Sequence, residues 1–218
     1  DVEHVQQYEF SAMLEIPVKT SLAQDAQGDV VGLDFALGSQ LADFGHGAVV
    51  AGYNAFAKAV NAGDYSKWVN PKDGEVNLYA DLVSDANYTY ITSFAGTFDG
   101  NGFTIKGLRI NRQDEYSYNA GLFGYVDNLS CIKNLTVIAD SQEITVRSYS
   151  GILAGNNQGK IENCYVKGDI TNYSGENLFK NLGLICGTNG GEITNCIAEG
   201  SVNSDANGGT LVGLNEGV

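Results

Sequence analysis

Residues 151–166 read GILAGNNQGKIENCYV, and residues 183–197 read GLICGTNGGEITNCI. Both stretches set Gly, Asn, Ile, Asn and Cys in the same order. Traced outward, the pattern resolves into columns. Ile105, Ile132, Ile161 and Ile193 are separated by 27, 29 and 32 residues, and Gly124, Gly155, Gly187 and Gly213 by 31, 32 and 26. Asn134, Asn163 and Asn195 follow three of the isoleucines by two residues, and Asn157, Asn189 and Asn215 follow three of the glycines in the same way. VNLYADLV at 76–83 reads as an earlier, degenerate turn.

A repeat of this length, built of short apolar runs broken by Gly, Asn and Asp and lacking helical periodicity, predicts a β-solenoid. One coil cannot bury its strands alone. Coils stacked about 4.8 Å apart form parallel sheets around a shared core. Identical columns then recur because each side chain lies on its counterpart in the next coil. Isoleucines and the Leu/Val of GLFG, GILAG, GLICG and TLVG are expected to fill the core, each contributing about 1.5–3 kcal/mol. The column glycines are expected to supply positive φ at corners. The asparagines, Asn134 included, are expected to be buried and to bond one another from coil to coil, since an unpaired buried amide is costly. Outward, Lys133 should face Glu162 and Lys160 should face Glu192, giving solvated mixed-charge faces.

The rest of the chain divides accordingly. In residues 1–47, YEFSAMLEIPVK and the stretch with Val31, Leu33, Phe35 and Leu37 alternate with period 2, predicting a β-hairpin segment. In AVVAGYNAFAKAVNA (48–62), Val49, Tyr53, Phe56 and Val60 are spaced by three or four. This predicts an amphipathic helix stopped at Gly63, with 48–73 serving as a cap and lead-in to a solenoid over 74–218. The fold class expected is all-β, a parallel β-helix with an N-terminal capping helix.

The chain has 218 residues, a formal net charge of −14 and three arginines, Arg109, Arg112 and Arg147. That balance argues against nucleic acid or an anionic membrane surface as partner. No run approaches the about 20 apolar residues of a membrane span, and no signal peptide is evident. Cys131, Cys164, Cys186 and Cys196 form no CxxC pair and no cluster with His4 or His46, so no zinc site is expected. The four cysteines admit two disulfides or four thiols. Leu135 precedes Cys164 and Cys196 in their column, which marks an apolar slot and favours stacked free thiols. FDGNG (98–102) lacks the spaced ligands of a calcium loop and reads as a turn. His46 in FGHG has no evident partner and reads as structural. No cofactor or metal is expected.

GILAGNNQGKIENCYVKG (151–168) and GLICGTNGGEITNCIAEG (183–200) resemble the signature of the GLUG-motif repeat family, and TLVGLNEG (210–217) resembles the start of a further copy. The resemblance covers about residues 48–218. It implies a right-handed parallel β-helix, in keeping with the general hand of parallel crossovers, in a bacterial surface or secreted protein, adhesin-like or stalk-like. Cell-surface or extracellular localisation follows from the same resemblance.

Insertions in a solenoid gather on one side. Here NRQDEYSYN (111–119), SQEITVRSYS (141–150) and TNYSGENLFKN (171–181) bring Asp114, Glu115, Tyr116, Tyr118, Tyr149, Tyr173 and Glu176 to one flank. Tyrosines beside carboxylates can stack on and hydrogen-bond a sugar, so these are the candidate binding residues, with a surface glycan or a protein as partner. The bland alternative is that they cover the core edge. Two competing functions are a polysaccharide lyase or hydrolase, with Asp81, Arg109 and Asp114 as candidates on fold analogy alone, and a passive domain of a larger secreted enzyme. The last copy stops at Val218 before its Ile-x-Asn-Cys strand, and we expect more chain, or edge pairing with a partner, at that coil.

Overall fold

In the computed structural model the described residues are 22–24, 30–33, 53–70, 73–78, 81–83, 89–112, 119–146, 149–172, 181–205 and 207–218. The strand expected over residues 8–18 lies outside them. Leu22–Gln24 and Val30–Leu33 pair antiparallel.

From Glu75 onward the chain winds through four parallel sheets in turn. The first holds Glu75–Asn77, Thr97–Asp99, Cys131–Lys133, Lys160–Glu162 and Glu192–Thr194, side by side in chain order. The second holds Leu82–Val83, Thr104–Arg112, Thr136–Val146, Tyr165–Lys167 and Ile197–Glu199, with Ile170–Asn172 and Val202–Asn203 extending its far half. The third holds Asn119–Ala120, Tyr149–Ser150, Asn181–Gly183 and Asn207–Gly209, and the fourth holds Ile91–Phe94, Phe123–Val126, Ala154–Asn157, Cys186–Asn189 and Val212–Asn215. The protein is thus a mostly-strand, solenoid-like fold of stacked parallel rungs.

Registers define the interior files. Ile132 lies on Ile161 and Ile161 on Ile193, as the repeat predicts. Before them come Phe98 and Val76, not Ile105. Ile105 belongs to the second sheet, between Leu82 and Val137, in a file continued by Val166 and Ala198. All of these from Val76 to Val166 are buried, while Ile193 and Ala198 in the last rung are partly so.

Glycine and asparagine exchange the duties expected of them. Gly124, Gly155, Gly187 and Gly213 do not have positive φ. They lie in the fourth sheet, with main chain so close that a Cβ at Gly155 would stand 2.7 Å from the Ala120 nitrogen, and at Gly213 2.5 Å from that of Leu182. At these glycines the main chain of the third sheet comes directly against that of the fourth. Positive φ is supplied instead by Asn101, Asn134, Asn163 and Asn195, at 50°, 53°, 54° and 52°. Each turns the chain from the first sheet into the second, and Asn enters this left-handed region more readily than other side chains. Contrary to expectation, Asn134 is only half-buried and Asn163 and Asn195 are exposed. A corner residue lies between the two strands and outside both sheets. Asn163 still donates to Asn134 (3.3 Å), and Asn134 to Asp99 (3.0 Å). We expect Asn163→Ala to cost about 1–2 kcal/mol through backbone strain and Asn163→Gly distinctly less, read from urea midpoints. Equal losses would mean that the amide contact, not the φ, is what matters.

The helix spans Tyr53–Asn61. It ends as predicted at Gly63 (φ 71°), where Gly63 N–H donates to Val60 O (2.9 Å) and Asp64 N–H to Ala59 O (2.9 Å), a Schellman closure. Phe56, Ala57 and Val60 are buried. The Phe56 ring packs on Trp68, Phe98 and Phe94 at centroid distances of 5.6, 5.8 and 6.4 Å, so the helix's apolar face continues the first rungs of the core.

Candidate functional site

The expected binding flank is built where the second sheet hands over to the third. Strands leave the second sheet at Arg112, Val146 and Asn172, which are in register with one another. The chain re-enters the third sheet at Asn119 and Tyr149, also in register, and at Asn181. The exits and entries therefore stack along one edge. Tyr149 sits on that edge, half-buried, beside Asn119. Asp114, Glu115, Tyr116, Tyr118, Tyr173 and Glu176 lie outside the described residues.

The outward faces of the first two sheets carry charged pairs, most of which run from coil to coil. Lys133 faces Glu162 and Lys160 faces Glu192 in register, as predicted. The Lys133 ammonium nevertheless reaches back to Glu75 (2.7 Å) and Asp99 (3.4 Å), while Lys160 takes Glu162 on its own strand (2.7 Å) ahead of Glu192 (3.9 Å). Hydrogen bonding to Glu75 holds the Lys133 pKa above its ordinary value. On the second sheet, Glu199 accepts from Lys167 and from the Tyr165 hydroxyl (2.7 Å). Asp81 accepts the Thr104 N–H (2.8 Å) and pairs with Lys106 (3.3 Å). The Thr104 N–H first, then Lys106, keeps the Asp81 carboxyl below the usual carboxylate range. Asp81 is therefore a coil-to-coil staple kept ionised, poorly suited to donate a proton as a general acid. Arg109 is exposed on the second sheet.

Asp99, weighed as a calcium ligand, is nearly buried and already occupied. One carboxylate oxygen accepts the Asn101 N–H (2.8 Å) and the Asn134 amide (3.0 Å), and the other faces Lys133. Among the described residues no three metal-ligating side chains converge. No described helix is long and apolar enough to cross a membrane. None of the four cysteines is bridged in the structure.

An amide ladder, buried at Asn157 and Asn189 and exposed at Asn215, runs through the fourth sheet. Asn157 Nδ2 donates to Asn189 Oδ1 (2.7 Å), and Asn189 Nδ2 to Asn215 Oδ1 (2.7 Å). The Asn column announced this ladder; its one-way polarity, each amide donating to the coil after it, was not legible. The corner asparagines run the other way, donating to the coil before.

The fold and these contacts define a parallel, solenoid-like repeat protein. No protein-family model and no solved structure matches the chain. Two curated proteins are similar over part of it. Halomucin of Haloquadratum walsbyi is 38% identical over 81 residues, 37% of this chain and 1% of halomucin. A putative Gly-rich membrane protein of Evansella cellulosilytica is 40% identical over 77 residues, 34% of this chain and 8% of that protein. The chain thus spans a small fraction of either relative.

Proposed function

We propose that this chain is a non-enzymatic module of a cell-surface or secreted protein, stalk-like in body and adhesive along one edge. The body is a right-handed parallel β-helix of the GLUG-repeat kind, with the helix Tyr53–Asn61 as the cap of its first rungs. The observation that carries the proposal is the division of labour around the coil. Most of the outward charged pairs on the first two sheets run from coil to coil, while the inserted segments emerge along a single stacked edge. A repeated edge of this kind presents similar contacts at intervals of one rung, which suits a repeating polymer such as a glycan. The names of the two partial relatives, one a halomucin and one a membrane protein, support an envelope setting.

Binding of the purified chain to a polysaccharide array tests the proposal. We expect retention of one glycan class, weakened about tenfold by Tyr149→Ala or Tyr118→Ala, the size of one lost aromatic contact. Binding unchanged by both substitutions would move the site off this edge. Cleavage of any arrayed glycan would overturn the non-enzymatic reading.

A further inference from the structure

Two of the parallel sheets begin on strands paired on one side only, Glu75–Asn77 in the first sheet and Ile91–Phe94 in the fourth. The other side of each presents main-chain N–H and C=O groups, and an uncovered edge of this kind is a template for another strand. Over the first, the chain folds back on itself. Val69 bridges Val76 antiparallel, and Asn70 N–H donates to Glu75 O (2.8 Å). Over the second, no strand lies among the described residues. The Asn61 side chain, at the end of the helix, covers it instead. Its Nδ2 donates to Tyr90 O (2.8 Å), and its Oδ1 accepts the Thr92 N–H (2.8 Å). Those two groups flank Ile91. In a parallel pair, a residue donates to the carbonyl before the residue it faces and accepts the N–H after it. The Asn61 amide therefore holds the place of one residue in a preceding parallel strand. On either side of it, Asn54 Oδ1 accepts the Thr89 N–H (2.8 Å) and the Tyr65 hydroxyl donates to Ala95 O.

The strand under this cover is one that pairs readily. TYITSFAGTF (89–98) holds no charged residue and no proline. Tyr90, Ile91, Thr92 and Phe94 are aromatic or β-branched, and Thr92 and Ser93 are exposed. High β-propensity without charge or proline is the composition that pairs with its own kind. Proteins blunt such edges with a lysine, a proline, a bulge or a cover. This strand runs in unbroken register with Phe123–Val126 and has no bulge, which leaves the cover.

We propose that Asn61 seals an association edge: its amide occupies the outward pairing groups of Ile91–Phe94 and keeps a second copy of this chain from adding its own Ile91–Phe94 strand there. The seal rests on the helix acting as the cap proposed above. A second copy is the partner because the edge is self-complementary. Two identical, uncharged strands related by a two-fold axis pair antiparallel, and each offers the other the N–H and C=O groups that Asn61 otherwise holds.

Amide hydrogen exchange and sedimentation velocity on the whole chain test this. In the unsubstituted chain the Thr92 amide should be protected, and the chain should sediment as one species at every concentration. In Asn61→Ala, Thr92 should exchange about tenfold faster, the effect of one hydrogen bond lost, and the sedimentation coefficient should rise with concentration. Adding Thr92→Lys, which sets a charge on the exposed face of the strand, should return Asn61→Ala to a single species. Asn163→Ala, destabilised at a corner away from this edge, should stay a single species. An unprotected Thr92 in the unsubstituted chain would overturn cap and seal together. A protected Thr92, with Asn61→Ala remaining a single species, would overturn the seal and leave the cap standing. Equal association of Asn163→Ala would tie pairing to lost stability and overturn the seal as well. Asn61 is exposed and alanine suits a helix, so the variant should fold. Asn61→Ser, likewise too short to reach the strand, takes its place if it does not.

Discussion

Gly187→Ala is expected to cost more than about 3 kcal/mol and to leave the chain largely unfolded or insoluble, the range of severe overpacking. The added methyl would stand 2.2 Å from the Ser150 nitrogen, 2.6 Å from the Asn181 oxygen and 2.7 Å from the Tyr149 carbonyl carbon. All three are main-chain atoms, held by the ladder between Tyr149–Ser150 and its neighbours, so no side chain can swing aside. Relief requires the third sheet to lift from the fourth, which opens the core over Leu184 and Ile185. Gly102→Ala is the control. Gly102 has φ 80°, and a methyl added there would meet nothing within 4 Å, so only backbone strain of about 1–2 kcal/mol applies. Urea denaturation followed by circular dichroism ranks the two. Equal losses would show that the glycine column serves conformation and not close approach.

Asn189→Val is expected to cost about 2–3 kcal/mol, the size of a buried polar network broken at its centre. Asn189 is essentially buried and stands mid-ladder. It accepts from Asn157, donates to Asn215, and lies 3.3 Å from Gly191 O and 3.4 Å from Val218 O. Valine removes the acceptor above and the donor below in one step. Asn157→Val should cost clearly less. Asn157 begins the ladder, its register neighbour in the coil before is already Val126, and its Oδ1 accepts no hydrogen bond among the described residues. The same urea series measures both. If Asn157→Val proved the more damaging, the ladder would not act as a chain whose interior links matter most.

The interior file of the first sheet was readable where the corner had constant length. Ile132, Ile161 and Ile193 are each followed two residues later by the corner asparagine, so spacing alone aligned them. Phe98 was missed because its corner holds one residue more: Asp99 and Gly100 precede Asn101, and an aromatic stands where isoleucine was sought. Ile105 took its place on spacing, although it fills the second sheet. The proposed binding flank was legible only as a set of insertions. The stacked strand ends Arg112, Val146 and Asn172 establish the edge from which those insertions depart.

Recurrence along the chain was enough to determine stacking, because a side chain that repeats at coil length can satisfy its neighbours only by lying on its own copy. It was also enough to place the amide ladder. What each glycine is for was decided by tertiary structure, since the same letter serves positive φ at Gly63 and bare clearance at Gly187. Tertiary structure likewise chose the partners of Lys133. A long, flexible ammonium arm on a sheet face samples carboxylates in coils on either side, and its preference for Glu75, 58 residues away, over Glu162 in register depends on distances that exist only once the coils are stacked.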